Sequence, residues 1–248
     1  MKMKKILLLA GALFLCSSVV YAQKQLDNSS LDRWEKRGKV WYPVSWDTGN
    51  KGTSTLGMNV TEPEEGFVAV KGPGKKAVRM KSQFVGVLGI GKFASASLFT
   101  GEFLKVVGTK GAQLSFGIPF NLRPASLHGY YAYKPGKIDY ADKSLKEKMG
   151  TTDHGSIDIY LTVWKKPFVI DNARGIGLNS HSPEIIGYGT LDLAKATDGY
   201  VEFDIPVVYT SNATPTYIGI MAASSRWGDV YTGSTDSVLY LDELELRY

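Results

Sequence analysis

The sequence predicts an all-β fold: an antiparallel two-sheet β-sandwich of jelly-roll type. Three observations carry that expectation. Apolar residues recur with a period of two along most of the chain, helical periodicity is weak with no β-α-β rhythm, and 27 glycines and 10 prolines punctuate the 248 residues.

Taken in chain order, the strands are short and half-apolar. AVRMK (77–81) is a brief strand, and KGAQLSFGIPF (110–120) alternates Leu114, Phe116 and Ile118 with Gln113 and Ser115. SIDIYLTVW (156–164) sets Ile157, Ile159, Leu161 and Val163 on one face and Asp158, Tyr160, Thr162 and Trp164 on the other. YVEFDIPVVY (200–209) alternates Val201, Phe203 and Ile205 with Glu202 and Asp204, PTYIGIMAA (215–223) adds a shorter piece, and an alternating run ends the chain. Helix is expected only in fragments. Tyr140–Gly150 forms two turns capped by Gly150 or a solvated loop, and Ser29–Arg37 forms a short turn. No internal repeat or linker divides residues 23–248, which read as one domain.

Residues 1–22, MKMKKILLLAGALFLCSSVVYA, have the layout of a secretory signal: Lys2, Lys4 and Lys5, then apolar Ile6–Leu15, then Val20-Tyr21-Ala22 as a cleavage site. The apolar run is too short to span a bilayer. Cleavage after Ala22 and export to the periplasm, cell surface or medium are expected. Acylation at Cys16 is disfavoured by the bulk of Leu15 before it. Removing the signal's three lysines leaves 26 basic against 24 acidic residues, so the net charge of +5 gives no reason to expect a nucleic-acid partner. Cys16, the sole cysteine, leaves with the signal. Neither a disulfide nor a thiol nucleophile remains, and stability must come from the core.

Catalytic signatures are sparse. GIGKFA (89–94) has the spacing of a dinucleotide-binding turn, but SASLFTGEF follows it with a strand-like pattern where a helix would have to begin, so it reads as a glycine-rich turn. There is no G-x-S-x-G. His128, His154 and His181 read as loop residues without ligand spacing, and the sequence adjacency of Asp153, His154 and Ser156 does not make a triad. A glycosidase needs two carboxylates at a fixed separation, which 24 acids do not reveal by order alone.

Aromatic residues are more informative. The chain has 14 Tyr and 5 Trp, many beside Gly, Pro or charges. Sugars present C–H faces that stack on rings and hydroxyls that need polar partners. Tyr160 and Trp164, with Asp158 on the same face, would form a platform about 13 Å long at about 3.3 Å per residue. The alternative is that a further sheet or loop covers that face and makes both rings core. YYAYKPG, with Tyr130, Tyr131 and Tyr133, and SRWGDVYTG, with Trp227, Asp229 and Tyr231, read as aromatic loops able to meet a ligand.

Several stretches together carry a resemblance: WYPVSWDTGNKGTS, ASASLFTGEF, GIPFNLRPASLHGYYAYKPG, DHGSIDIYLTVW, YVEFDIPVVY and ASSRWGDVYTGSTDSVLYLDELELRY. In this order they resemble the putative carbohydrate metabolism domain of Bacteroidetes, over nearly the whole chain after the signal. The resemblance implies an exported β-sandwich similar to carbohydrate-binding modules, and a glycan as partner. It supplies no catalytic residues. In such jelly rolls an acid at the start of the last strand often helps hold a structural calcium, and Asp242 in LYLDEL resembles it. Alternation adds a hint, since Asp242 shares a face with Val238, Tyr240, Leu244 and Leu246, where an unpaired carboxylate is costly. A metal, a basic or amide partner, or a bulge must relieve it. The expected function is non-catalytic glycan recognition, with a glycoside hydrolase or lyase of the same fold and a protein-binding surface module as alternatives.

Overall fold

A computed structural model describes residues 24–54, 57–87, 90–108 and 111–248. The signal-like segment, with Cys16 and the cleavage site at Ala22, lies outside the described residues. Eight strands build the sandwich: β1 (Ala77–Lys81), β2 (Ser97–Phe99), β3 (Ser126–Lys134), β4 (Gly155–Thr162), β5 (Ile185–Leu193), β6 (Val201–Pro206), β7 (Tyr217–Ala223) and β8 (Val238–Arg247). One sheet runs β6-β3-β8-β1 with Thr61–Glu64 added at its edge. The other runs β5-β4-β7-β2, extended by Val208–Tyr209 beside β5 and by Asp47–Thr48 beside β2. All these pairings are antiparallel. The chain crosses between the sheets as a jelly roll does, and the fold is all-β as the alternation predicts.

The core lies where the alternation puts it. Ile157, Ile159 and Leu161 of β4 and Ile218, Ile220 and Ala222 of β7 meet Val78 and Met80 of β1, Leu127 and Tyr133 of β3, Phe203 and Ile205 of β6, and Leu239 and Leu241 of β8. At about 1.5–3 kcal/mol for each large apolar side chain buried, this cluster is the main source of stability in the absence of disulfides.

A third layer was not foreseen as an element in its own right. Gly101–Val107, Gly111–Phe116 and Phe168–Asp171 form a small antiparallel sheet. It closes a second core of Phe99, Phe103, Phe116, Tyr160, Trp164, Ile170 and Ile185. The apolar run is thus split at Gly117: Gly111–Phe116 belongs to the small sheet, while Ile118–Pro119 pairs with β7. Gly117 makes the step because its φ of +94° suits glycine, and a Cβ there would lie 3.2 Å from the Trp164 ring.

Four local expectations are refined. Trp34–Arg37 is a strand paired with Val40–Pro43, where a helical turn was expected. Tyr130, Tyr131 and Tyr133 lie on β3, and His128 lies there too, buried; none of the four is in a loop. Lys143–Lys148 is a 3-10 segment whose first turn is capped by the Asp142 carboxylate. Ile90–Ala94, within the glycine-rich turn, is a strand in a hairpin with Gln83–Val87, so no helix follows it.

Candidate functional site

The residues of the expected strand platform are all on the face that the sequence assigned them, and all are buried. Trp164 is 4% and Tyr160 8% exposed. Tyr160 meets Phe116 edge-on at 5.8 Å and Tyr188 at 5.0 Å, while Trp164 stacks on Phe168 at 5.4 Å. Asp158 accepts a hydrogen bond from the Tyr188 hydroxyl at 3.0 Å. Burial raises the Tyr160 hydroxyl's pKa, as does the nearby Asp158 charge. The small sheet covers this face, so Asp158, Tyr160 and Trp164 do not form an open platform for a sugar chain. The physical reason is that Tyr and Trp are amphipathic and serve a core as readily as a surface.

The closing loop after β7 takes a different course. Its anchor is Asp153, fully buried, which in the sequence stands out only by its adjacency to His154 and Ser156. One oxygen accepts from the Ser225 hydroxyl at 2.6 Å, the Ser237 hydroxyl at 2.8 Å and the Ser234 amide at 2.8 Å; the other accepts from the His154 amide at 2.8 Å. Burial holds this carboxyl above its ordinary pKa, while those four donors act in the opposite sense. Gly228 lets the loop pass Ser95, since a Cβ would fall 2.1 Å from the Ser95 Cβ. The loop is therefore pinned from beneath, and its outer residues are placed by the fold.

On its outer side, Trp227 is half-buried. Its ring packs 5.4 Å from the His154 imidazole, and the Lys148 ammonium lies 4.0 Å from the ring centroid. The His154 Nδ1 is 2.8 Å from Asp192 Oδ2, and Arg226 Nη1 is 3.3 Å from Asp192 Oδ1. Trp227 thus sits beside its chain neighbour Arg226 and a Lys, a His and an Asp from two other stretches, Lys148–His154 and the Asp192 strand. Only Trp227 was singled out in the sequence as a ligand contact. His154 read as a surface residue, and nothing near Asp192 or Lys148 in the sequence marks them.

Asp229 and Tyr231 turn away from this group. The Asp229 carbonyl accepts from the Asn172 amide at 2.9 Å, and Lys92 Nζ lies 3.8 Å from the Tyr231 ring centroid. Surrounding protein raises the Asp229 carboxyl above its ordinary value, although the side chain is open to solvent and the effect is correspondingly screened. The closing loop therefore divides, with Trp227 on one side and the Asp229–Tyr231 pair on the other.

Asp242 shows why alternation misled at the last strand. Leu239 and Leu241 are buried, and so are Leu244 and Leu246, so the inward parity changes between 241 and 244. The register against β3 slips at this place, and Glu243 has a φ of +47°. The bulge turns Asp242 off the Leu244–Leu246 face. There it accepts from the Ala69 amide at 2.7 Å and from the Glu243 amide at 2.9 Å. Burial, with the nearby Glu243 and Asp32 charges, still pushes its pKa up to about 6. Asp32 and Glu243 are both paired with Lys75. Among the described residues no three His, Cys, Asp or Glu side chains converge as a metal site. Asp242 is held by two amides, and the described residues around it do not bring together the about six to eight oxygens that a calcium ion needs.

A second polar cluster lies on the outer face of the β6-β3-β8-β1 sheet. His128 Nε2 is 2.7 Å from Glu202 Oε1, its Nδ1 is 3.6 Å from Glu245 Oε2, and Arg247 approaches Glu202, Asp204 and Glu245 at 3.4–3.8 Å. No local pattern marks it, because its members come from three strands far apart in the chain.

A model of the putative carbohydrate metabolism domain matches residues 23–247. The chain belongs to this family. A putative glycoside hydrolase of Bacteroides thetaiotaomicron is similar over 87% of this chain at 25% identity, with a TM-score of 0.62. A second, of Bacteroides vulgatus, is similar over 86% at 19% identity, with a TM-score of 0.64. This chain spans 66% of the first structure's length and 89% of the second's. No curated protein matches the chain. Among the described residues no helix is long and apolar enough to cross a membrane.

Proposed function

We propose that this member of the carbohydrate metabolism domain family is an exported, non-catalytic glycan-recognition module, and that sugar is bound at the closing loop around Trp227. The observation that carries the reading is the half-buried indole beside Lys148 and the His154–Asp192–Arg226 chain. The ring offers a stacking surface once the Lys148 side chain swings aside, and the charged groups offer donors and acceptors to hydroxyls around it. The family match and the signal-like segment support export and a glycan partner. A glycan array paired with reducing-sugar assays tests this: binding without turnover is expected. Trp227→Ala should weaken binding by about five- to a hundredfold, taking ~1–3 kcal/mol per stacked ring from base stacking, with melting unchanged. Undiminished binding by that variant would remove the closing loop from consideration.

A second reading is a glycoside hydrolase. It is favoured by the two similar structures, both called putative glycoside hydrolases, and by Glu202 and Glu245 flanking His128. Release of reducing sugar that is lost in Glu202→Gln or Glu245→Gln would establish it in place of the first.

A further inference from the structure

Between Phe168–Asp171 and β5 the chain runs Ile176-Gly-Leu-Asn-Ser-His-Ser-Pro-Glu, a stretch with little to bury. It is nevertheless a folded rim. Asn179 Oδ1 accepts from the His181 amide at 3.0 Å, the Asn179 carbonyl accepts from the Ser182 amide at 2.9 Å, and the Ser182 carbonyl accepts from the Ile185 amide at 2.9 Å. Opposite the rim stands Phe168, half-buried and backed by Trp164, whose ring is stacked on it at an interplanar angle of 27°. Between rim and rings lies a half-open cleft of ≈ 260 Å³, lined by Trp164, Phe168, Leu178, Asn179, His181 and Ser182 among others.

The chemistry of the lining is specific. Its floor is aromatic. The Asn179 amide nitrogen, the His181 imidazole and the Ser182 hydroxyl make no hydrogen bond among the described residues, although Asn179 and Ser182 are held in place through their other atoms. No Asp, Glu, Lys or Arg lines the cleft, so nothing there calls for a ligand of either charge. Its volume falls below the roughly 300–1,000 Å³ of sites that enclose drug-sized ligands. A ligand that fits must be about one ring in size, neutral, apolar on one face and rich in hydroxyls at its edge.

We propose that this cleft binds a single neutral sugar ring, stacked on Phe168 with its hydroxyls held by Asn179, His181 and Ser182. Only the choice of ligand class rests on the glycan-recognition reading, and the cleft is separate from the Trp227 loop. The protein would then hold a glycan at two places, and a linked ligand able to reach both would gain affinity through effective concentration.

Amide NMR during titration with glucose, galactose, mannose, xylose and arabinose, each to about 50 mM so that a millimolar site saturates, tests the inference. Saturable shifts at Phe168 and residues 177–185, as a set separate from any at the Trp227 loop, are expected with at least one sugar. Phe168→Ala should raise Kd about fivefold or more. His181→Ala, at an exposed side chain without a partner, should weaken binding at unchanged melting temperature, and Trp227→Ala should leave the cleft shifts as they are. Silence of residues 177–185 with every sugar while the Trp227 loop responds overturns the cleft and leaves the closing-loop reading standing. Shifts at 177–185 with a silent Trp227 loop support the cleft and remove the closing loop. Silence at both overturns both, and cleft shifts that persist undiminished in Phe168→Ala and His181→Ala overturn the stacking geometry.

Discussion

Replacing Asp242 by Asn isolates one carboxyl whose ionisation opposes folding. In the unfolded chain it ionises near 3.8, and in the folded protein near 6, because it is 1% exposed and faces the Glu243 and Asp32 charges. Between these two values the folded state holds a proton that the unfolded state has lost, so raising the pH removes stability across that window. The displacement from 3.8 to about 6 corresponds to about 3 kcal/mol at about 1.4 kcal/mol per unit. For a chain of this size that is about 6–12 °C in melting temperature, at about 2–4 °C per kcal/mol. Asn keeps an acceptor for one of the two amides, from Ala69 or Glu243, and cannot ionise. Melting temperatures of wild type and Asp242→Asn, measured at half-unit steps from about pH 3.5 to 8, should therefore diverge. Relative to the variant, the wild type loses stability as the pH rises from about 4 to about 6 and runs parallel to it above about 7. Taking the difference removes the contributions of other groups, such as Asp32, whose pKa is lowered by hydrogen bonds from Lys76 and Lys75 against the cost of its burial. Parallel curves across the whole range would refute the claim that buried Asp242 ionises late.

Other outcomes follow from the same geometry. Trp164→Ala should destabilise the protein by about 3–5 kcal/mol, the cost of a cavity beside Phe116 and Phe168, and a melting temperature within about 2 °C of wild type would show that the ring is not core. Asp153→Ala leaves the Ser225 and Ser237 hydroxyls and the Ser234 and His154 amides without their acceptor, and should cost about 3 kcal/mol or more in denaturant unfolding; a loss below about 1 kcal/mol would mean that the closing loop is pinned by other contacts. Calcium and chelator should give the same melting temperature, since Asp242 is already satisfied by amides; a chelator-induced drop that Asp242→Ala abolishes would restore the metal. Mass spectrometry of the protein from its native host should find a chain beginning at Gln23, whereas a lipid-modified Cys16 would show a different peptidase at work.

The sandwich was legible because its inner faces are filled by aliphatic side chains at alternate positions. Ile157, Ile159 and Leu161 point into the core as their spacing predicts, and Phe203 and Ile205 do the same, while Val201 at the start of β6 stays exposed. Alternation fails wherever one residue breaks the pleat. Glu243 shifts the parity of β8, and Gly117 hands one apolar run from the small sheet to β7. The candidate site was legible only at Trp227. Arg226 is the chain neighbour of Trp227, but Lys148, His154 and Asp192 are brought to it by cross-strand pairing and loop contacts that no local pattern encodes.

Period-two patterning reports how a strand's two faces differ in chemistry, and it cannot count the layers stacked on them. Every residue of β4 is buried, yet Asp158, Tyr160 and Thr162 look solvent-facing because each carries a polar tip. Tyr160 and Asp158 are accommodated by Tyr188, and the small sheet covers them. The opposite outer face is partly covered as well: Phe67 stacks on Tyr200 and packs edge-on against Tyr240, and the Ala69 amide reaches Asp242. A sandwich covered in this way on both outer faces has less open sheet to offer a glycan, and recognition then falls to the loops and the clefts between layers. Trp227 and Phe168 are aromatic residues that the fold leaves half-open beside polar side chains, one on the closing loop and one at the margin of the small sheet. Had the third layer been absent, Tyr160 and Trp164 would be the platform that their spacing describes; its presence moves the search for a ligand to those two places.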